Sequence, residues 1–114
     1  MKSLAKLSVL GFLVLSIILH SCNREELPAI STSSISNILG TCASGGGNIT
    51  SDGGANVIVR GVCWSENILP ATSDSKTNDG KGTGQFVSNI NGLARGTTYH
   101  VRAYATNSFG KAYD

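Results

Sequence analysis

The sequence predicts an all-β sandwich of short strands. Beyond residue 28 no segment repeats its apolar residues with the helical period. Runs rich in β-branched residues are instead cut by Gly, Asn, Asp and Pro clusters, at the roughly ten-residue spacing of sandwich strands and their turns. Residues 99–105 alternate cleanly, with Tyr99, Val101, Ala103 and Ala105 on one face and His100, Arg102 and Tyr104 on the other. That period of two, with one small apolar face, is the pattern of a half-buried strand.

The other elements follow in chain order. Residues 29–38 set Ile30, Ile35 and Ile38 among Ser and Thr, and residues 41–50 form a small-residue run containing Ile49. Ser51-Asp52-Gly53-Gly54 is a turn signal. Residues 57–65 are the most apolar run; Val62 and Trp64 share its predicted core face, which turns Cys63 outward. A long polar stretch, 66–84, is broken by Pro70 and closed by Asp79-Gly80-Lys81-Gly82. Phe86, Ser88 and Ile90 then alternate with Val87 and Asn89, and Asn91-Gly92-Leu93 turns the chain into the 99–105 strand. Ala43, Gly45, Gly47 and Ile49 share a face, so Cys42 falls on the other. Cys42 and Cys63 make no C-x-x-C pair and have no nearby histidine, so they read as two unpaired thiols, with a disulfide as the alternative.

The N-terminus is of a different kind. Lys2 and Lys6 precede thirteen uncharged residues, 7–19, too few to span a bilayer, which takes about 20, but the length of a signal-peptide core. Leu19-His20-Ser21-Cys22 resembles the lipobox of bacterial lipoproteins, although His20 departs from the small or apolar residue usual there. The resemblance implies a signal helix, 1–21, cleaved before Cys22, whose sulfur takes diacylglycerol and whose acyl chains, such as palmitate, anchor the protein in a membrane. The alternative is an ordinary secretory signal with a chance cysteine. Residues 22–29 then read as lipidated Cys and polar tether, and 30–114 as the sandwich. Arg24-Glu25-Glu26 resembles the surface-export signal of Bacteroidetes lipoproteins, which implies display on the outer membrane facing the medium; a solvated linker is the plain reading. The chain has nine Lys+Arg and seven Asp+Glu; without Lys2 and Lys6, seven of each remain. No basic stripe is left to neutralise phosphates, which excludes nucleic acid as a partner. Removal of 21 residues from 114 leaves 93, one small domain.

Leu93, Gly96-Thr97, Tyr99-His100-Val101-Arg102 and Ala105-Thr106-Asn107-Ser108-Phe109-Gly110 resemble the E–F corner and F strand of fibronectin type III domains. With residues 46–54, Arg60-Gly61-Val62-Cys63-Trp64-Ser65 and residues 79–86, the stretch from about residue 30 onward resembles a domain of Bacteroidetes surface lipoproteins. The resemblance implies an immunoglobulin-like, fibronectin type III-like β-sandwich. It places Tyr99 as a corner tyrosine whose hydroxyl meets backbone near Leu93, and Val101 and Trp64 in the core. It also implies that the last strand, left with only Lys111-Ala112-Tyr113-Asp114, is incomplete, with strand-edge self-association as a consequence.

Candidate chemistry is thin. Gly80-Lys81-Gly82-Thr83-Gly84 lacks the Gly-Lys-Ser/Thr order of a phosphate loop and precedes no helix. Asp74, Asn78 and Asp79 have Lys76 where an EF-hand needs a ligand. His100 lies mid-strand with no identifiable catalytic partner. Trp64 and Tyr104 could make an aromatic sugar platform, but Trp64 reads better as core filler. No catalytic residue, metal or cofactor is assigned. The expected function is a membrane-anchored, non-enzymatic interaction or spacer module at the cell surface, its protein or glycan ligand unnamed. The alternative is an accessory fragment of a larger surface enzyme, such as a glycan-degrading lipoprotein, whose catalytic part follows residue 114.

Overall fold

The computed structural model describes residues 25–114; the signal segment, Cys22 and Arg24 lie outside the described residues. Seven strands follow one another: β1 (Ala29–Thr32), β2 (Ala43–Ser51), β3 (Val59–Ser65), β4 (Ser75–Lys76), β5 (Gly84–Ile90), β6 (His100–Asn107) and β7 (Gly110–Tyr113). They pair antiparallel in two sheets, ordered β1-β2-β5 and β4-β3-β6-β7. This is an immunoglobulin-like β-sandwich of the fibronectin type III kind, with β6 as its F strand.

The inner faces supply one core. Val62 and Trp64 from β3, Ala103 and Ala105 from β6, Ile49 from β2, Phe86 and Ile90 from β5, and Val57 are buried together. Glycines of β2 allow close approach both across and within a sheet: a Cβ on Gly47 would come within 2.9 Å of Ala103 Cβ in the facing sheet. Gly46 has φ +145, and a Cβ there would strike the Phe86 carbonyl, so β2 and β5 pair this closely only around a residue without a side chain.

Two sequence runs fold differently from expectation. The strand in residues 29–38 ends at Thr32, and only an isolated Ser36–Ser44 bridge continues it; Ile38 and Leu39 then sit at an exposed turn. The run from residue 57 enters its sheet only at Val59, with Val57 in the core and Ile58 exposed. The turn after β6 is held by the Asn107 side chain, whose Oδ1 accepts from the N–H groups of Phe109 and Gly110 at 2.8 and 3.2 Å. β7 pairs with residues 104–107 of β6. Next to it the Asp114 N–H donates to the Ala103 carbonyl, the Ala103 N–H to Thr32 Oγ1, and the Thr32 N–H to Asp114 Oδ2, at 2.8–3.0 Å. This clasp joins the first and last strands across the two sheets.

The largest correction concerns the outward face of β3 and β6. Cys63 does lie opposite Val62 and Trp64, but it is fully buried, and Tyr104 is only 2 % exposed. The polar stretch after β3 folds back over them. Arg102 Nε donates to the Pro70 carbonyl at 2.6 Å, and Tyr104 donates its hydroxyl hydrogen to the Thr77 carbonyl at 2.5 Å. Thr77 N–H donates to Val62 O, and Val62 N–H to Thr77 Oγ1. The seat for this layer is Gly61, cross-strand partner of Tyr104, where any Cβ would collide with Thr77 O. Gly61→Ala should therefore destabilise the domain by about 1–3 kcal/mol, the range for overpacking, measured by thermal or denaturant unfolding. A wild-type melting curve would show that Thr77 is not seated on the sheet.

Candidate functional site

The loop at the end of the sandwich where β3 begins is organised by Arg60. It shares a sheet face with Val62, and its guanidinium carbon stands 5.1 Å from the Phe86 ring centroid. Nε donates to the Asp79 carbonyl at 3.0 Å and Nη1 to the carbonyls of Gly82 and Thr83 at 3.2 Å. Arg60 N–H also donates to Gly80 O. The glycine-rich loop therefore turns carbonyl oxygens toward a cation. A phosphate cradle needs N–H groups pointing outward, so the loop has the wrong polarity for one.

Asp79 serves the same closure. Its Oδ2 accepts from Thr77 Oγ1 at 2.6 Å and from Ser88 Oγ at 2.5 Å, and Ser88 is fully buried among core side chains of β5. The other residues weighed for calcium are also engaged. Asp74 Oδ2 accepts from Ala71 N–H, and Asn78 Oδ1 from Gly80 N–H. Among the described residues no three His, Cys, Asp or Glu side chains gather as a metal would need. The cluster is structural: it satisfies polar groups in the gap between β3 and β5. Asp79→Ala should cost about 1–3 kcal/mol, because it strands a buried hydroxyl. Ser88→Ala in the same background should recover part of that loss; equal stability of wild type and Asp79→Ala would remove the carboxylate from this role.

The thiols are separate. Cys42 is half-buried, and its Sγ lies 3.9 Å from Leu39 O. Cys63 Sγ lies 3.6 Å from Arg102 O, under the layer formed by residues 70–77. Burial pushes the Cys63 thiol up from its ordinary 9.0, against a smaller opposing pull from the Arg102 charge. Since thiolate is the reactive form, Cys42 should take up iodoacetamide in the native protein at pH 8, and Cys63 only after denaturation. Per-residue mass spectrometry checks this; equal native labelling would mean the covering layer is open. The raised folded value also has a sign for stability. Above pH 9 the unfolded chain loses this proton first, so the contribution present below that pH fades as pH rises.

At the opposite end, where β6 begins, stand the remaining predicted residues. Tyr99 packs against the core with Leu93 and Val101, and its hydroxyl accepts from Ala94 N–H at 2.9 Å. Leu93 N–H donates to Thr41 O. Trp64 is in the core, on the face of the sheet opposite Tyr104, so the two aromatics form no sugar platform. His100 lies opposite Ser65 in the β3–β6 register, and its ring has no hydrogen-bond partner among the described residues. Between residues 35–43 and 93–101 the sandwich is open, leaving a pocket of about 540 Å³. Ile35, Ala43, Ile90, Leu93 and Val101 give it apolar walls, with Arg95 and Tyr99 at the same site. This pocket was not foreseen. Its one signal in the sequence is Ile35 and Ile38, apolar residues that follow the four-residue strand and lie outside it.

Of the predicted export residues, Glu25 is exposed. Glu26 is docked through its backbone: its N–H donates to Gly53 O at 2.9 Å, and its carbonyl accepts from Asn107 Nδ2 at 2.9 Å. Pro28 is buried. The domain thus takes hold of the chain within the segment read as tether.

No protein-family model matches this chain, and no curated protein does. Among solved structures it is similar to domains A168–A170 of titin, with a TM-score of 0.44 and 21% identity over 76% of this chain and 28% of that one.

Proposed function

We propose that this chain is a lipid-anchored, non-catalytic interaction or spacer module, displayed on the outer membrane of a Bacteroidetes-type cell and facing the medium. The observation that carries this reading is the point where the chain joins the sandwich. Glu26 donates its N–H to Gly53 O and accepts from Asn107 Nδ2, only four positions after Cys22. These bonds hold it at the end where β1 begins, while the pocket opens at the end where β6 begins. An acylated Cys22 would set the first end against the bilayer and turn the second outward. Two acyl chains, at about 0.8 kcal/mol per buried methylene, suffice for stable attachment. The partners of the module are then the membrane, through the lipid, and a protein or glycan on the outward side. The edge of β6 ahead of Ala103, which β7 does not reach, is the place for pairing with a second copy.

Cys22→Ser should move the protein to the soluble fraction or leave its precursor uncleaved, read by fractionation and intact mass. Protease treatment of intact cells should digest the wild type, and Ala at positions 24–26 should protect it. A normally processed, membrane-bound Cys22→Ser protein would overturn the anchor. Equal digestion of both proteins would overturn the export signal.

A further inference from the structure

We propose that the pocket between residues 35–43 and 93–101 binds an apolar monocarboxylate, with its tail between the sheets and its carboxylate on Arg95. At about 540 Å³ the cavity falls within the range of small-molecule sites. Its walls are side chains that already border the core, Ile35, Ile90, Leu93 and Val101. A hydrocarbon tail there would extend the core instead of meeting polar groups.

Charge selects the head group. Among the described residues Arg95 is the only charged one lining the pocket. The other described arginines are committed within the fold: Arg60 to three loop carbonyls, Arg102 to Pro70 O and the Tyr113 ring. The Arg95 guanidinium has neither a hydrogen-bond nor an ion-pair partner among the described residues. It lies against Gly40, at φ +72, where a Cβ would come within 2.9 Å of Nη1. The guanidinium is thus laid across the 35–43 wall, and its planar fork matches a carboxylate. Tyr99 offers a second contact. Its oxygen accepts from Ala94 N–H, which leaves its own hydrogen to donate to a carboxylate oxygen. A neutral apolar molecule would use the walls alone, and an amine would be repelled.

Octanoate is a suitable probe, with octanol as its uncharged counterpart. The full chain is used, because amide-resolved NMR separates binding at residues 93–101 from uptake by the apolar segment 7–19. Octanoate should shift the amides of 93–101 saturably and bind more tightly than octanol. Arg95→Gln should weaken octanoate about tenfold, the effect of losing one charge-assisted contact, and leave octanol unchanged. Arg95 is exposed, so this variant keeps the fold, and Arg95→Lys should restore part of the affinity. Ile35→Trp, which fills the cavity, should abolish both. The proposal is overturned by the absence of saturable shifts at 93–101, by octanol binding as tightly as octanoate, or by Arg95→Gln binding octanoate as the wild type does.

Discussion

Tyr104 donates to the Thr77 carbonyl across Gly61, and much of the domain's outer architecture depends on that contact. The hydroxyl sits under a covering segment where an unpaired polar group would cost about 1–3 kcal/mol. The carbonyl that satisfies it can come so near only because Gly61 carries no side chain. Once Thr77 is fixed there, its own hydroxyl meets Val62 N–H and Asp79, and Asp79 reaches the buried Ser88. Burial raises the Tyr104 hydroxyl above its ordinary value, and the neighbouring Asp79 charge adds to this. The group therefore stays a donor throughout the neutral range. A two-layer sandwich thereby gains a partial third layer without an added apolar strand.

This dependence explains what could be read in advance. The alternation in residues 99–105 was legible because the core face takes small apolar side chains and the outer face takes His100, Arg102 and Tyr104, whose polar groups mark the period even though that face is covered. Trp64 and Val62 were placed by the same logic. Residues 66–83 were not legible as a covering layer. Their contacts run through backbone carbonyls and short hydroxyls, which look the same in a solvated loop as in a docked one. The face of Cys63 follows from the alternation, and its environment does not, because burial there is imposed by the polar stretch after β3 folding back, which no periodicity announces. Arg60 stood inside a recognised motif, but no spacing rule says that a guanidinium will collect the carbonyls of a loop twenty residues on. The opening beside Arg95 was hidden for another reason: it follows from how early β1 stops, and strand ends are the least regular part of a sequence pattern.

The two ends of the sandwich solve the same problem in opposite ways. Where β3 begins, the gap between sheets is closed with polar chemistry, a cation over an aromatic ring and carbonyls around it. Where β6 begins, the gap is bordered by aliphatic side chains and left open. The first arrangement spends its cation on the carbonyls of its own loop. The second retains both unsatisfied charge and uncovered hydrocarbon, the two properties through which a surface acquires affinity for something else.

The clasp of Thr32, Ala103 and Asp114 also has a mechanical meaning. The chain enters beside Gly53 and Asn107, while β7 runs toward the other end, where β6 begins. A pull between residues 26 and 114 therefore draws β1 and β7 lengthwise in opposite senses. The ladder hydrogen bonds lie across that direction, so they resist together in shear and do not open one at a time like a zip. The Thr32–Asp114 bond ties the two loaded strands to each other. A domain held at one end and tugged at the other would carry the force along these two strands, which resist it as a ladder.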